Sequence, residues 1–127
     1  MKRSLLLFLF LGASLSTVFA QAVLKFDKTT HNYGKFTEDK PVSCAFSFTN
    51  TGDEPLVIQQ VMTSCGCTVA KFTKTPVKPG EKGTINITYN GKGKTAGHFK
   101  KVVSVRSNAK NSLVRIYVEG IMTKENK

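Results

Sequence analysis

Tryptophan is absent from this 127-residue chain, and acidic residues are scarce, with eight against nineteen lysines and arginines. Without tryptophan the chain cannot carry the cysteine–tryptophan–cysteine signature of antibody domains. The chain after its first twenty residues also lacks the 3.6-residue periodicity of an amphipathic helix. No apolar run reaches the roughly 20 residues that a membrane-spanning helix needs. These absences argue against a helical body, an antibody-type domain and a transmembrane helix.

The first twenty residues have the three parts of a secretory signal peptide in the right order. Lys2 and Arg3 supply the positive end, Leu5 to Leu11 the apolar run, and Val18-Phe19-Ala20 a cleavage site of small-residue type. An uncleaved anchor or a core strand is the alternative for this segment. The sequence therefore predicts a signal peptide over residues 1–20.

Cleavage between Ala20 and Gln21 would leave a single domain over residues 21–127, free and soluble, with no membrane span. The first cysteine is Cys44, so no cysteine lies at the cleavage point to carry a bacterial lipid anchor. We expect secretion across the inner membrane, with the mature chain periplasmic or extracellular.

The mature chain would carry 17 basic and 8 acidic residues, a formal charge of +9. Such a charge favours anionic neighbours. The lysines are scattered, however, and neither an arginine cluster nor the interleaved aromatic and basic residues of single-strand binders are present. We expect a protein or an anionic envelope polymer as the partner, and no nucleic acid.

Short alternating runs, broken by Gly, Pro, Asn and Asp about every 8–12 residues, are typical of a β-sandwich or barrel. The clearest run is Val42 to Thr49, in which alternate residues from Val42 to Phe48 share one face. The other predicted strands are Leu24–Phe26 continued by Tyr33–Phe36, Leu56–Met62, Val69–Phe72, Thr84–Tyr89, Phe99–Arg106 and Leu113–Gly120. The sequence predicts an all-β, immunoglobulin-like, two-sheet antiparallel sandwich of about seven strands.

Two local features are also expected. Ile58 and Val61 are three residues apart, so both can face the core only if a bulge intervenes near Gln59-Gln60. The segment Asn50-Thr51-Gly52-Asp53 reads as a turn in which Asn and Gly can supply positive φ.

Several motifs in a fixed order resemble the bacterial domain-of-unknown-function family fifteen-seventy-three. They are Phe46-Ser-Phe48-Thr-Asn50-Thr-Gly52-Asp-Glu-Pro55-Leu56-Val-Ile58, Ser64-Cys65-Gly66-Cys67-Thr68, Val77-Lys-Pro79-Gly80-Glu-Lys-Gly83, Gly97-His-Phe99-Lys100-Lys and Ser107-Asn108. The family is related to the immunoglobulin-like sandwiches of major sperm protein and of ciliary and choice-of-anchor domains. The resemblance covers about Phe26 to Ile121 and implies the fold, export and a non-enzymatic role, without an established activity. Cys44 departs from the family pattern.

The Cys65-Gly66-Cys67 segment is the part of the chain that most suggests a specific chemistry. In an extended backbone the two Cα atoms would lie roughly 6.6–7.2 Å apart, at the edge of disulfide reach, unless Gly66 shortens the span. Four interpretations stay open: a structural loop whose cysteines are half-buried or oxidised to each other, a bridge from Cys44 to one of them, a Cu(I) site, or a redox site. Further ligands for a metal would come from His31, His98, Met62 and Met122, and a zinc site lacks a second Cys or His pair.

No spacing of Ser, His and Asp supports a catalytic triad, and we expect neither an enzyme nor a cofactor. The leading hypothesis is an exported, non-enzymatic binding or structural module of the bacterial cell envelope, acting through a sheet edge or loop face. The rival hypothesis is a thiol-based soft-metal (copper) binding or redox protein that uses Cys65 and Cys67.

Overall fold

The computed structural model describes residues 20–124, so the predicted signal peptide lies outside the described residues except for Ala20. Within this range the chain forms strands and no helix. The strands are β1 (Leu24–Phe26), β2 (Thr30–Thr37), β3 (Val42–Asn50), β4 (Ile58–Thr63), β5 (Thr68–Phe72), β6 (Lys82–Tyr89), β7 (Gly97–Ser107) and β8 (Leu113–Thr123). Between residues 20 and 124, then, nothing of helical form could cross a bilayer.

Two four-stranded sheets face each other, in the orders β1-β3-β6-β5 and β2-β8-β7-β4. The predicted all-β immunoglobulin-like sandwich is confirmed. The predicted strands differ in two places: β4 begins at Ile58, since Leu56 forms only an isolated bridge with Val77, and the first predicted strand is really two. β1 pairs with β3, and after a bend at residues 27–29 the chain crosses to the other sheet, where β2 runs parallel to β8. Alternation of apolar residues indicates that a segment is a strand, but it does not indicate which sheet the strand joins. Because the first predicted strand is two, residues 20–124 form eight strands.

The core is built by alternate side chains of the four central strands. The side chains of Phe46, Phe48, Ile85, Ile87, Val103, Val105, Ile116 and Val118 are all completely inaccessible to solvent. Burial of one such side chain stabilises a fold by about 1.5–3 kcal/mol relative to leaving it exposed. The period-two pattern read from the sequence therefore corresponds to the layer between the sheets.

Of the two local expectations, the bulge is confirmed and the positive-φ turn is wrong. The register of β4 against β7 shifts between Ile58 and Gln60. In the Asn50–Asp53 turn, neither Asn50 nor Gly52 has a positive φ. Asn50 is instead fully buried, and Gly52 is a glycine because the backbone of residues 21–23 lies against it.

Candidate functional site

The Cys65-Gly66-Cys67 segment forms a tight turn that carries the chain from β4 in one sheet to β5 in the other. The Thr68 N–H donates to the Cys65 carbonyl at 3.3 Å and closes the turn. Cys65 and Cys67 lie at disulfide distance, with their Cα atoms 5.3 Å apart. An extended backbone would hold these two Cα atoms at the outer edge of disulfide reach, and the turn brings them within the usual range.

Gly66 lies in this turn, but neither a positive φ nor crowding by neighbouring atoms requires a glycine there. Its φ is not positive, and a Cβ placed on it would have no atom within 4 Å. Open space therefore lies in front of the backbone that joins the two cysteines.

The disulfide packs against the smaller of the two hydrophobic clusters. Cys67, which is 7% exposed, packs in a small cluster with Tyr89 and Met122, and the half-buried Cys65 lies against that cluster. The ring of Tyr89 stacks on Phe99 with centroids 4.1 Å apart. The buried part of the cysteine segment thus packs against aromatic side chains, while Gly66 is exposed.

Thr68 follows the disulfide directly and is 4% exposed. Its Oγ1 lies 3.7 Å from Cys67 Sγ and 3.9 Å from Cys65 Sγ. Among the described residues, the two sulfurs are the hydrogen-bonding contacts of this buried hydroxyl. The hydroxyl oxygen therefore lies within hydrogen-bonding reach of both sulfur atoms.

An open cleft of about 360 Å³ borders the disulfide and is lined by Gly66, Cys67, Asn90, Lys92 and Lys94. The Lys92 N–H donates to Asn90 Oδ1 at 3.1 Å, which shapes the loop that carries both lysines. In the part of the chain that the structure describes, neither lysine forms an ion pair. The Glu38 carboxylate accepts from the Gly93 N–H between the two lysines at 3.4 Å and also pairs with Lys124 at 3.4 Å, so lysines outnumber carboxylates at this loop.

Cys44 lies apart from the disulfide and is bonded to neither of its cysteines. It is half-buried on β3, and its Sγ lies 3.6 Å from the Tyr33 hydroxyl, which in turn donates to the Ile87 carbonyl at 2.8 Å. Burial raises the pKa of the Cys44 thiol, against smaller opposing effects of Tyr33 and Lys28. Cys44 packs against the core, and because the thiolate is the reactive form, a raised pKa makes this thiol less reactive.

The four side chains named as possible extra metal ligands do not gather around the cysteines. His31 packs against Tyr33, with ring centroids 5.1 Å apart, and His98 lies 3.3 Å from Glu119 on the outer surface. Met62 is on β4, and Met122 alone shares the cluster with Cys67. Across residues 20–124, no group of three His, Cys, Asp or Glu side chains could hold a metal ion.

Three of the four edge strands of the described sheets are closed or irregular. The Leu24 N–H and C=O on the outer side of β1 are both bonded to the Asn111 side chain, at 3.1 and 2.7 Å. β2 loses its register near Gly34, whose φ is 77°. β4 has the bulge between Ile58 and Gln60. Such features make an edge a poorer template for a further strand.

β5 is the remaining edge, and its register against β6 is regular. At its end, the Thr73 N–H donates to the Thr84 carbonyl at 3.1 Å. In an antiparallel pair, every second residue bonds to the neighbouring strand through its N–H and C=O. Counting back from Thr73, the residues bonded to β6 are Lys71 and Val69. The N–H and C=O groups of Ala70 and Phe72 therefore point away from β6. These are the groups that a further strand would bind.

The surface around this edge is partly apolar and positively charged. The Val69 side chain is 54% exposed, and Lys71 is exposed beside it on the outer face. Lys74, just after the strand, lies over the Phe72 ring at 5.8 Å from its centroid. Neither these residues nor the cleft lysines were singled out by the sequence; Thr68 was part of the cysteine motif, but its hydroxyl was given no role there. The Gly91–Lys94 loop composition was the available signal for the cleft, and nothing in the residues marked the β5 edge.

Comparison with known proteins gives a family and a fold. A family model described as "Protein of unknown function (DUF1573)" matches residues 24–122. None of the curated proteins compared with the chain matches it.

Solved structures share the architecture at low sequence identity. A protein of unknown function from Porphyromonas gingivalis W83 has a TM-score of 0.70 at 20% identity, over 85% of this chain and 51% of that chain, so this chain spans about half of it. The ASH/PapD-like domain 7 of human CEP192 has a TM-score of 0.66 at 6% identity, over 94% of this chain and 99% of that chain. The periplasmic chaperone SfaE has a TM-score of 0.55 at 11% identity, over 81% of this chain and 58% of that chain.

Proposed function

We infer that this chain, which belongs to the DUF1573 family of proteins of unknown function, is a non-enzymatic, protein-binding module of the bacterial cell envelope. Its partner is an extended acidic segment that adds as a strand to the outer edge of β5. The observation that carries this proposal is the open, regular backbone of Ala70 and Phe72 at an edge, while the other three edges are blunted. Removal of residues 1–20 as a signal peptide delivers the module to the envelope.

Strand addition uses backbone hydrogen bonds for affinity and alternate side chains for specificity. A segment beside β5 would bond to the N–H and C=O of Ala70 and Phe72. Its side chains on the outer face would meet Val69, which offers apolar surface, and Lys71, which offers positive charge. An apolar residue flanked by Asp or Glu is therefore the sequence pattern that fits this edge.

The positive charge of Lys71 and Lys74 argues against a second copy of this chain as the strand that pairs with β5. Two β5 strands pairing with each other would bring their Lys71 and Lys74 side chains into one strip, and an edge lysine is a known device against self-association. An acidic segment turns the same lysines into favourable contacts. The fold supports the proposal too, since it is shared with SfaE, whose name is that of a periplasmic chaperone.

Ala70→Pro tests the proposal, because proline removes the outward N–H without affecting the hydrogen bonds to β6. We expect the wild-type chain, immobilised after export, to capture an envelope protein, and Ala70→Pro to weaken that capture at least about tenfold through loss of an edge hydrogen bond and obstruction by the ring. Ala70→Val is the matched control, since it adds similar volume and keeps the N–H.

Circular dichroism and thermal unfolding first establish that both variants fold. Equal capture by wild type, Ala70→Pro and Ala70→Val would contradict strand addition at β5. Capture that resists protease treatment of the extract and disappears when anionic polymers are digested would identify a polymer as the partner and reject the protein segment.

A further inference from the structure

The two sulfurs of the disulfide differ in accessibility. Cys65 is half-buried, whereas Cys67 is 7% exposed and packed against Tyr89 and Met122. Exchange begins with attack of a thiolate on one sulfur, and access decides which sulfur is attacked. Incoming thiolate reaches Cys65 more readily, which makes Cys67 the leaving group.

The surroundings of Cys67 suit a leaving thiolate. The buried Thr68 hydroxyl lies 3.7 Å from its Sγ and has the two disulfide sulfurs as its hydrogen-bonding contacts in the described chain. A neutral disulfide sulfur is a weak acceptor, whereas a thiolate forms a charge-assisted hydrogen bond that is about twice as strong as a neutral one. Thr68 therefore favours the reduced state more than the oxidised one.

Charge at the cleft acts in the same direction. Lys92 and Lys94 line the cleft together with Cys67 and form no ion pair within residues 20–124, while the Glu38 carboxylate bonds to the Gly93 N–H between them and to Lys124. Positive charge near a cysteine stabilises its thiolate. The cleft gives Cys67, as the leaving thiolate, a positively charged surface on the side of Gly66.

We propose that the Cys65–Cys67 bond is an exchangeable disulfide, in which a dithiol attacks Cys65 and Cys67 leaves toward Thr68 and the lysine cleft. This activity is separate from strand addition at β5 and does not depend on it.

In the first step, a thiolate of the dithiol forms a bond to Cys65 Sγ, and the electron pair of the Cys65–Cys67 bond passes to Cys67 Sγ. In the second step, the other thiolate of the dithiol attacks its partner sulfur in the mixed disulfide and releases Cys65 as a thiolate. The dithiol is oxidised to its disulfide, two electrons pass to the cysteine pair, and the two protons lost by the dithiol are balanced by the two that Cys65 and Cys67 take up from water.

The point of attack is tested on the folded wild-type chain with glutathione as a one-thiol probe, which stops at the mixed disulfide. After an acid quench, peptide mapping by mass spectrometry should find glutathione on Cys65 in several-fold excess over Cys67. An adduct mainly on Cys67, or reaction only after denaturation, would overturn the proposal.

The leaving-group role is tested with dithiothreitol as the reductant and two threonine variants. Thr68→Val removes the hydroxyl beside the sulfurs with little change of shape, and should slow reduction roughly tenfold because a hydrogen bond to a charged group is lost. Thr88→Val is the control; its hydroxyl bonds to Ser43 at 2.7 Å on the outer face, and its rate should match wild type. Equal rates for Thr68→Val and Thr88→Val would reject the role of Thr68. If Thr68→Val does not fold, the adduct map on the wild-type chain decides the proposal.

Discussion

Replacing Asn50 with alanine is expected to lower the free energy of unfolding by about 3–5 kcal/mol, a large part of the roughly 5–15 kcal/mol of a typical domain. The Asn50 side chain is completely buried. Its Oδ1 accepts from the N–H groups of Val23 and Gly52 at 3.3 and 2.9 Å, and its Nδ2 donates to the carbonyls of Glu54 and Val77 at 2.6 and 2.9 Å. Alanine would leave these backbone groups without their partner around a side chain that is itself inaccessible to solvent, and the Val77 carbonyl lies fully inside.

Asn108→Ala is the matched control for this prediction. Asn108 also joins two backbone groups, the Val57 N–H at 2.8 Å and the Pro55 carbonyl at 3.0 Å, but it is exposed. Water can satisfy the groups that this change releases, so its cost should be about 1 kcal/mol. Urea unfolding followed by circular dichroism measures both variants. An equal loss in free energy of unfolding for the two variants would show that burial of Asn50 is not the cause of its large expected effect.

The second large effect is expected for Gly52→Ala, which should cost about 3 kcal/mol, at the upper end of overpacking changes. A Cβ at this position would overlap the Gln21 carbonyl oxygen and would lie 2.6 Å from the Val23 nitrogen. These are backbone atoms and cannot rotate away, so the N-terminal segment would have to move. Its hydrogen bonds from Asp53 N–H to Gln21 and from Thr51 N–H to Val23 would be weakened with it.

Gly66→Ala is the control for Gly52→Ala, because the space around Gly66 is open and its φ is ordinary. We expect a change of less than about 0.5 kcal/mol in the same urea experiment, as for other surface substitutions away from special features. A cost at Gly66 as large as at Gly52 would mean that backbone crowding is not what requires a glycine at position 52.

Most of the sandwich could be predicted from the sequence because each strand buries alternate residues. The run from Val42 to Phe48 shows this best, since its inward side chains become progressively more buried along β3. The bulge in β4 was predictable too, because Ile58 and Val61 could not otherwise share a face.

The candidate site could be predicted less well. The crossing of the first strand between sheets and the parallel pairing of β2 with β8 depend on tertiary contacts that alternation does not encode. The edge at Ala70 and Phe72 is defined by backbone groups that every residue has, so residue types could not reveal it. The sequence placed two cysteines one residue apart, but their turn, and the Thr68 hydroxyl beside them, depend on how β4 meets β5.

Amide hydrogen exchange along β5, resolved by NMR in the free chain, tests the open edge most directly. If that strand is free on its outer side, the amides of Ala70 and Phe72 exchange much faster than those of Val69 and Lys71, which bond to β6, and addition of the captured acidic segment slows the two fast amides selectively. Uniform protection of all four amides in the free chain, or no slowing at Ala70 and Phe72 when the segment is bound, would contradict strand addition at β5.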